Sequence, residues 1–127
     1  MDKRVLLVED DLDLRDILQD ILEDEGYEVI PAAHGRQALE YLRTTCSCED
    51  APALVILDLI MPIVNGWEVL DAIRCEPWLQ VPVIVVSGVE KSKPNGVAAY
   101  LCKPFNMVDL LDAVRGARCE SHREGSA

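Results

Sequence analysis

Positive charge is what this chain has least of. Twelve lysines and arginines stand against 23 aspartates and glutamates, a formal net charge of −11. A surface so acidic repels nucleic-acid phosphates and anionic lipid headgroups, so no nucleic-acid partner is expected. Long apolar runs are missing as well. None approaches the roughly 20 residues that a bilayer-spanning helix requires, so no membrane insertion is expected. Histidine is scarce, with only His34 and His122 at unrelated positions. Cys46-Ser47-Cys48 therefore lacks the nearby imidazoles that commonly complete a nitrogen–sulfur metal site. The five cysteines (Cys46, Cys48, Cys75, Cys102, Cys119) are odd in number and scattered. Reduced thiols are the default for such a pattern without a secretory signal. Met1-Asp2-Lys3-Arg4 runs straight into an apolar segment and leaves no room for a signal peptide, so a cytoplasmic location is expected. No internal repeat, low-complexity tract or second domain is visible in the 127 residues. A single domain of this length buries about two-thirds of its unfolded surface and needs no staples.

What the chain does have is a set of short apolar runs, each ending on a polar residue with phosphoryl chemistry. Val5-Leu6-Leu7-Val8 leads to Glu9 and Asp10, and Leu54-Val55-Ile56-Leu57 leads to Asp58. Val83-Ile84-Val85-Val86 leads to Ser87, and Tyr100-Leu101-Cys102 leads to Lys103. Short apolar runs spaced by helix-length segments read as buried parallel strands. In open α/β sheets, ligands bind beyond the carboxyl ends of the strands, where the strand order reverses. Carboxylates, a hydroxyl and an ammonium group are thereby predicted to share one crevice.

The alternation is regular. Strands are predicted at Arg4–Val8, Tyr27–Ile30, Leu54–Leu57, Val83–Val86 and Ala99–Cys102. A helix over Leu12–Glu25 places Leu14, Ile17, Leu18, Ile21 and Leu22 on one buried stripe, capped by Asp11 or Asp13 and stopped by Gly26. Further helices are predicted at Gln37–Arg43, Gly66–Arg74 and Met107–Ala117, with a loop over Thr44–Pro52. The domain is expected to end near residue 117, and Arg118–Ala127 to form a flexible tail. Between the fourth and fifth strands lie only Ser87 to Ala98, including Lys93-Pro94-Asn95-Gly96. Proline and an Asn-Gly turn signal leave room there for about one helical turn at most. The early acidic residues, from Asp13 and Asp16 to Glu25 and Glu28, read chiefly as a solvated helix face.

Glu9, Asp10 and Asp58 at one rim repel each other unless a cation sits among them. An open, all-oxygen set suits a hard ion, Mg2+ above all. Asp58 is then the nucleophile that can hold an aspartyl phosphate. Lys103 stabilises one phosphoryl oxygen and the Ser87 hydroxyl another. Taken singly, Glu9 and Asp10 read as compensating charges for the first helix, Ser87 as a turn residue and Lys103 as a solvated lysine. It is the convergence that favours chemistry.

Four segments carry a family resemblance: Val5-Leu6-Leu7-Val8-Glu9-Asp10-Asp11, Leu57-Asp58-Leu59-Ile60-Met61-Pro62-Ile63-Val64-Asn65-Gly66, Val85-Val86-Ser87-Gly88 and Tyr100-Leu101-Cys102-Lys103-Pro104-Phe105. In order and spacing they resemble the receiver domain of two-component response regulators. The resemblance implies a three-layer, flavodoxin-like, doubly wound α/β fold with a five-stranded parallel sheet in the order 2-1-3-4-5. It implies Asp58 as phosphoacceptor and Asp10 as direct Mg2+ ligand. Glu9 would be the neighbour acting through water, and the Ile60 carbonyl a third protein ligand. Ser87 and Tyr100 would be the switch pair, and Lys103 the lysine facing the phosphoryl group, before a cis Lys-Pro bond at Pro104. A histidine kinase or histidine phosphotransfer protein would be the donor and an unknown protein the output, with the domain a monomer or weak dimer. The segment Gly88 to Ala98 is shorter than the family pattern, so the helix between the fourth and fifth strands is expected to be shortened or replaced by a loop.

Two other readings compete. A Mg2+-dependent phosphohydrolase with an aspartyl nucleophile usually carries an acid two residues beyond it, where this chain has the apolar Ile60. A phosphorylation-independent docking module would use the same fold without the chemistry.

Overall fold

A computed structural model describes residues 4–45, 52–58, 66–75, 81–87, 97–103 and 105–126 of the chain. The elements follow as β1 (Arg4–Val8), α1 (Leu12–Asp24), β2 (Glu28–Ala32), α2 (Gly35–Thr45), β3 (Leu54–Asp58), α3 (Gly66–Cys75), β4 (Val83–Ser87), β5 (Ala99–Cys102) and α4 (Met107–Ser126). All strand pairs are parallel, in the order β2-β1-β3-β4-β5. The chain moves outward from β1 to β2, then returns to the other side of β1 as β3. The carboxyl ends of β1 and β3 therefore flank the point where the winding direction reverses.

Alternation along the central strands builds two cores. Leu6, Val8, Val55, Leu57, Val83 and Val85 face α2 and α3. Val5, Leu7, Leu54, Ile56, Ile84 and Val86 face α1 and α4. With both faces covered, β1 and β3 read as unbroken apolar runs, as buried parallel strands do. Pro31 is tolerated inside β2 because that strand lies at the sheet edge.

Local chemistry sets the helix ends. The Asp11 side chain accepts from the Leu14 N–H at 3.2 Å and caps α1. Gly26, at φ 91°, turns the chain out of the helix, while the Gly26 and Tyr27 N–H groups donate back to the Glu23 and Leu22 carbonyls. A reciprocal box starts α2: His34 Nδ1 accepts from the Gln37 N–H, and Gln37 Oε1 accepts from the Ala33 N–H. That cap begins the helix at Gly35 rather than the Gln37 expected from periodicity.

Three further expectations are corrected. Only Leu18 and Leu22 of the predicted α1 stripe are fully buried, and Ile17 is 56% exposed. Helix α2 takes in Thr44 and Thr45, which had read as loop. Helix α4 runs on to Ser126, past the helix end expected near Ala117. The continuation carries Arg118, Glu120, Arg123 and Glu124, good helix formers, with no proline. The expected shortening between β4 and β5 falls on residues 88–96, outside the described residues.

Candidate functional site

The two-residue period of the sheet decides which polar groups meet. Glu9 continues the Val5, Leu7 row, Asp58 the Leu54, Ile56 row, and Lys103 the Ala99, Leu101 row. All three therefore project to the α1/α4 side at the carboxyl end of the sheet. The β1–β3 register pairs Val8 with Leu57, so one step further brings Glu9 level with Asp58.

Lys103 Nζ bridges the two acids, 3.2 Å from Glu9 Oε1 and 3.1 Å from Asp58 Oδ2. Glu9 is 2% exposed and Asp58 4%. The other Glu9 oxygen accepts from the Asp11 N–H at 3.2 Å, and the Glu9 N–H donates to the Ala32 carbonyl at 3.1 Å. Asp10, at the exposed rim, completes a trio in which one carboxylate oxygen from each acid lies within 4.8 Å of the others. From the first turn of α1, Arg15 Nη1 donates to the Glu9 backbone carbonyl at 3.1 Å.

Burial pushes the Glu9 carboxyl up from 4.5 to about 7, reinforced by a hydrogen bond to Asp58 and by the Asp58 charge. Burial alone would lower the Lys103 ammonium. The hydrogen bond to Asp58 and the charges of both acids outweigh that and hold it above its ordinary value. Three carboxylates, one of them inclined by burial to keep its proton, form an oxygen donor set that fits a hard divalent ion.

The Glu9 shift fixes a pH dependence. Between 4.5 and about 7 the folded chain keeps a proton on Glu9 that the unfolded chain has released. Stability therefore falls as pH rises through that window, and the full cost, roughly 3 kcal/mol at most, is present above it. Without divalent ions, Glu9→Gln should gain on the wild type by about 2–3 kcal/mol in urea unfolding between pH 4.5 and pH 8. Parallel stability curves for the two proteins would show that this proton is not linked to folding.

The remaining predicted residues divide. Ser87 closes β4 and pairs in register with Cys102, which puts its backbone at the same end of the sheet. Tyr100, on the edge strand β5, is half-buried against the α2/α3 core. Ile60 and Pro104 lie outside the described residues. Sequence reasoning missed two features. One is Arg15, whose signal was a lone basic residue among the acids of the first turns of α1. The other is an open groove of about 460 Å3 beside Lys103, between α1 and α4, with Leu14, Ile17 and Ile21 facing Phe105 and Met107.

Comparison with known proteins gives a consistent set of likenesses. The sequence profile of the response regulator receiver domain matches residues 5–115. The transcriptional regulatory protein CpxR of Escherichia coli (strain K12) is 36% identical over 123 residues, covering 94% of this chain and 50% of CpxR. The chain thus spans about half the length of that curated relative. Sporulation initiation phosphotransferase F of Bacillus subtilis (strain 168) is 29% identical, over 91% of this chain and 93% of that protein. Among solved structures, a CheY-like receiver domain protein from Methanospirillum hungatei superposes with a TM-score of 0.82 at 32% identity, covering 98% and 99% of the two chains. TrrA from Thermotoga maritima, solved in complex with Mg(2+)-BeF, gives a TM-score of 0.77 at 30% identity over 89% of this chain and 96% of that one.

Proposed function

Because the chain belongs to the response regulator receiver domain family, we propose that it is a phosphorylation-dependent signalling switch with Asp58 as phosphoacceptor. The observation that carries this reading is Lys103 bridging the buried Asp58 and Glu9, with Asp10 at the rim. A phosphohistidine on a histidine kinase or phosphotransfer protein is the donor. An Asp58 carboxylate oxygen attacks phosphorus, the P–N bond breaks, and the histidine nitrogen leaves with the electron pair. Asp58 then carries an acyl phosphate.

Asp10 and Asp58, with Glu9 acting through water and the Ile60 carbonyl completing the set, would hold Mg2+, which supplies charge neutralisation for the phosphoryl oxygens. Lys103 stays beside the acceptor throughout and meets the charge that builds on one oxygen. The Ser87 hydroxyl follows the new dianion, and Tyr100 moves into the space it leaves. The surface around β4 and β5 is thereby biased between two states that an output protein can tell apart. The apolar groove beside Lys103 gives the donor protein a seat next to the acceptor. No external substrate is turned over, so the domain is a switch rather than an enzyme, acting in the cytoplasm as a monomer or weak dimer.

The test is direct. The full chain incubated with a small acyl phosphate and Mg2+ should gain one phosphoryl group by intact mass. The gain should disappear with a chelator and reverse with hydroxylamine, which cleaves acyl phosphates. No gain under any condition overturns the proposal, and a gain indifferent to chelation overturns the metal's part in it.

A further inference from the structure

We infer that Arg15 is a positioning residue that aims the two consecutive acids of the metal site by fixing the peptide between them. The inference rests on the metal-binding reading of Glu9, Asp10 and Asp58.

Arg15 reaches back from the first turn of α1, and its Nη1 donates to the Glu9 carbonyl at 3.1 Å. That carbonyl belongs to the Glu9–Asp10 peptide, a rigid plane whose rotation sets how the two side chains diverge. The Glu9 carboxylate has anchors of its own in Lys103 and the Asp11 N–H. The Asp10 side chain stands exposed, so the direction of its backbone is what keeps its oxygen within 4.8 Å of the other two. The backbone from which Arg15 reaches is fixed, because its main-chain N–H donates to the Asp11 carbonyl at 2.8 Å and Asp11 caps the same helix. The result is a closed clamp from α1 to the turn that carries the ligands. Groups that orient metal ligands typically contribute tenfold or more to affinity.

Charge and geometry make opposite forecasts here. A guanidinium beside acids repels an incoming cation, so removing it for charge reasons alone strengthens metal binding. Removing a clamp weakens it.

Mn2+ binding to the full chain, read from the free-ion electron paramagnetic resonance signal and checked by Mg2+ competition, separates the two. Arg15→Met, which keeps length and helix propensity but has no donor, should bind Mn2+ about tenfold more weakly, and Arg15→Lys should recover to within about threefold of wild type. Arg15→Gln, with a shorter donor, should fall between them and serves if the methionine variant does not fold, as judged by urea unfolding. Equal or tighter binding in Arg15→Met overturns the inference, as does equal weakness in the methionine and lysine variants. A wild-type chain with no saturable Mn2+ binding that Asp10→Asn abolishes overturns the metal reading itself, a failure distinct from the other two.

Discussion

Asp58→Asn is expected to take up no phosphoryl group from an acyl phosphate, whatever the Mg2+ concentration. The amide has the size and shape of the carboxylate but no anionic oxygen, and it is too weak a nucleophile to attack phosphorus. Asp58 closes β3 at 4% exposure within reach of Lys103, so the substitution leaves the fold and its neighbours in place. The variant also frees Glu9 from the negative charge of its neighbour, so Glu9 should ionise at lower pH than in the wild type. Intact mass measures the first effect, and the stability–pH profile the second. A phosphoryl group still present on the variant would move the acceptor to another residue. If a partner bound wild type and Asp58→Asn equally under phosphorylating conditions, the domain would be a docking module.

Lys103→Met should slow phosphoryl uptake by about 100-fold or more, the usual loss when one preorganised donor to a developing oxyanion is removed. Methionine keeps much of the lysine stem, so the effect isolates the charge. The same change should destabilise the metal-free chain above pH 7. It leaves Glu9 and Asp58 facing each other with no cation between them. Breaking a fully buried pair costs about 3–5 kcal/mol, and the 28% exposure of the Lys103 side chain brings the expected loss to about 2 kcal/mol. Mg2+ should return part of that stability by mass action, and more of it in the variant than in the wild type. Stopped-flow or quench kinetics and urea unfolding with and without Mg2+ check the two halves. An unaltered uptake rate would remove Lys103 from the chemistry.

The regular succession of apolar runs was enough to place the strands, because buried parallel strands tolerate almost no polar interruption, while the order of the sheet came from the resemblance to receiver domains. Helix boundaries were less legible. Thr44 and Thr45 have middling helix propensity, and His34 is an uncommon cap, so the extent of α2 depended on hydrogen bonds that no periodicity reveals. Ile17 shows the same gap: its spacing assigns it to the buried stripe, but the groove between α1 and α4 leaves it facing solvent. Within the site, Asp58, Asp10, Glu9 and Lys103 were recognisable from their places after apolar runs. That Glu9 would be the most buried of the three acids, bound directly by Lys103, was not.

By itself the sequence determined the alternating pattern and the gathering of acids and one lysine at a single rim. Polar residues that follow buried strands can only emerge at the strand ends. Only the tertiary structure decided the pairing within that rim. Which oxygen meets Lys103, how far Glu9 is stripped of water, and that Arg15 holds the Glu9 carbonyl all depend on strand register and on the angle at which α1 leaves the sheet. Those are properties of packed elements, and a one-residue slip would turn each group to the other face.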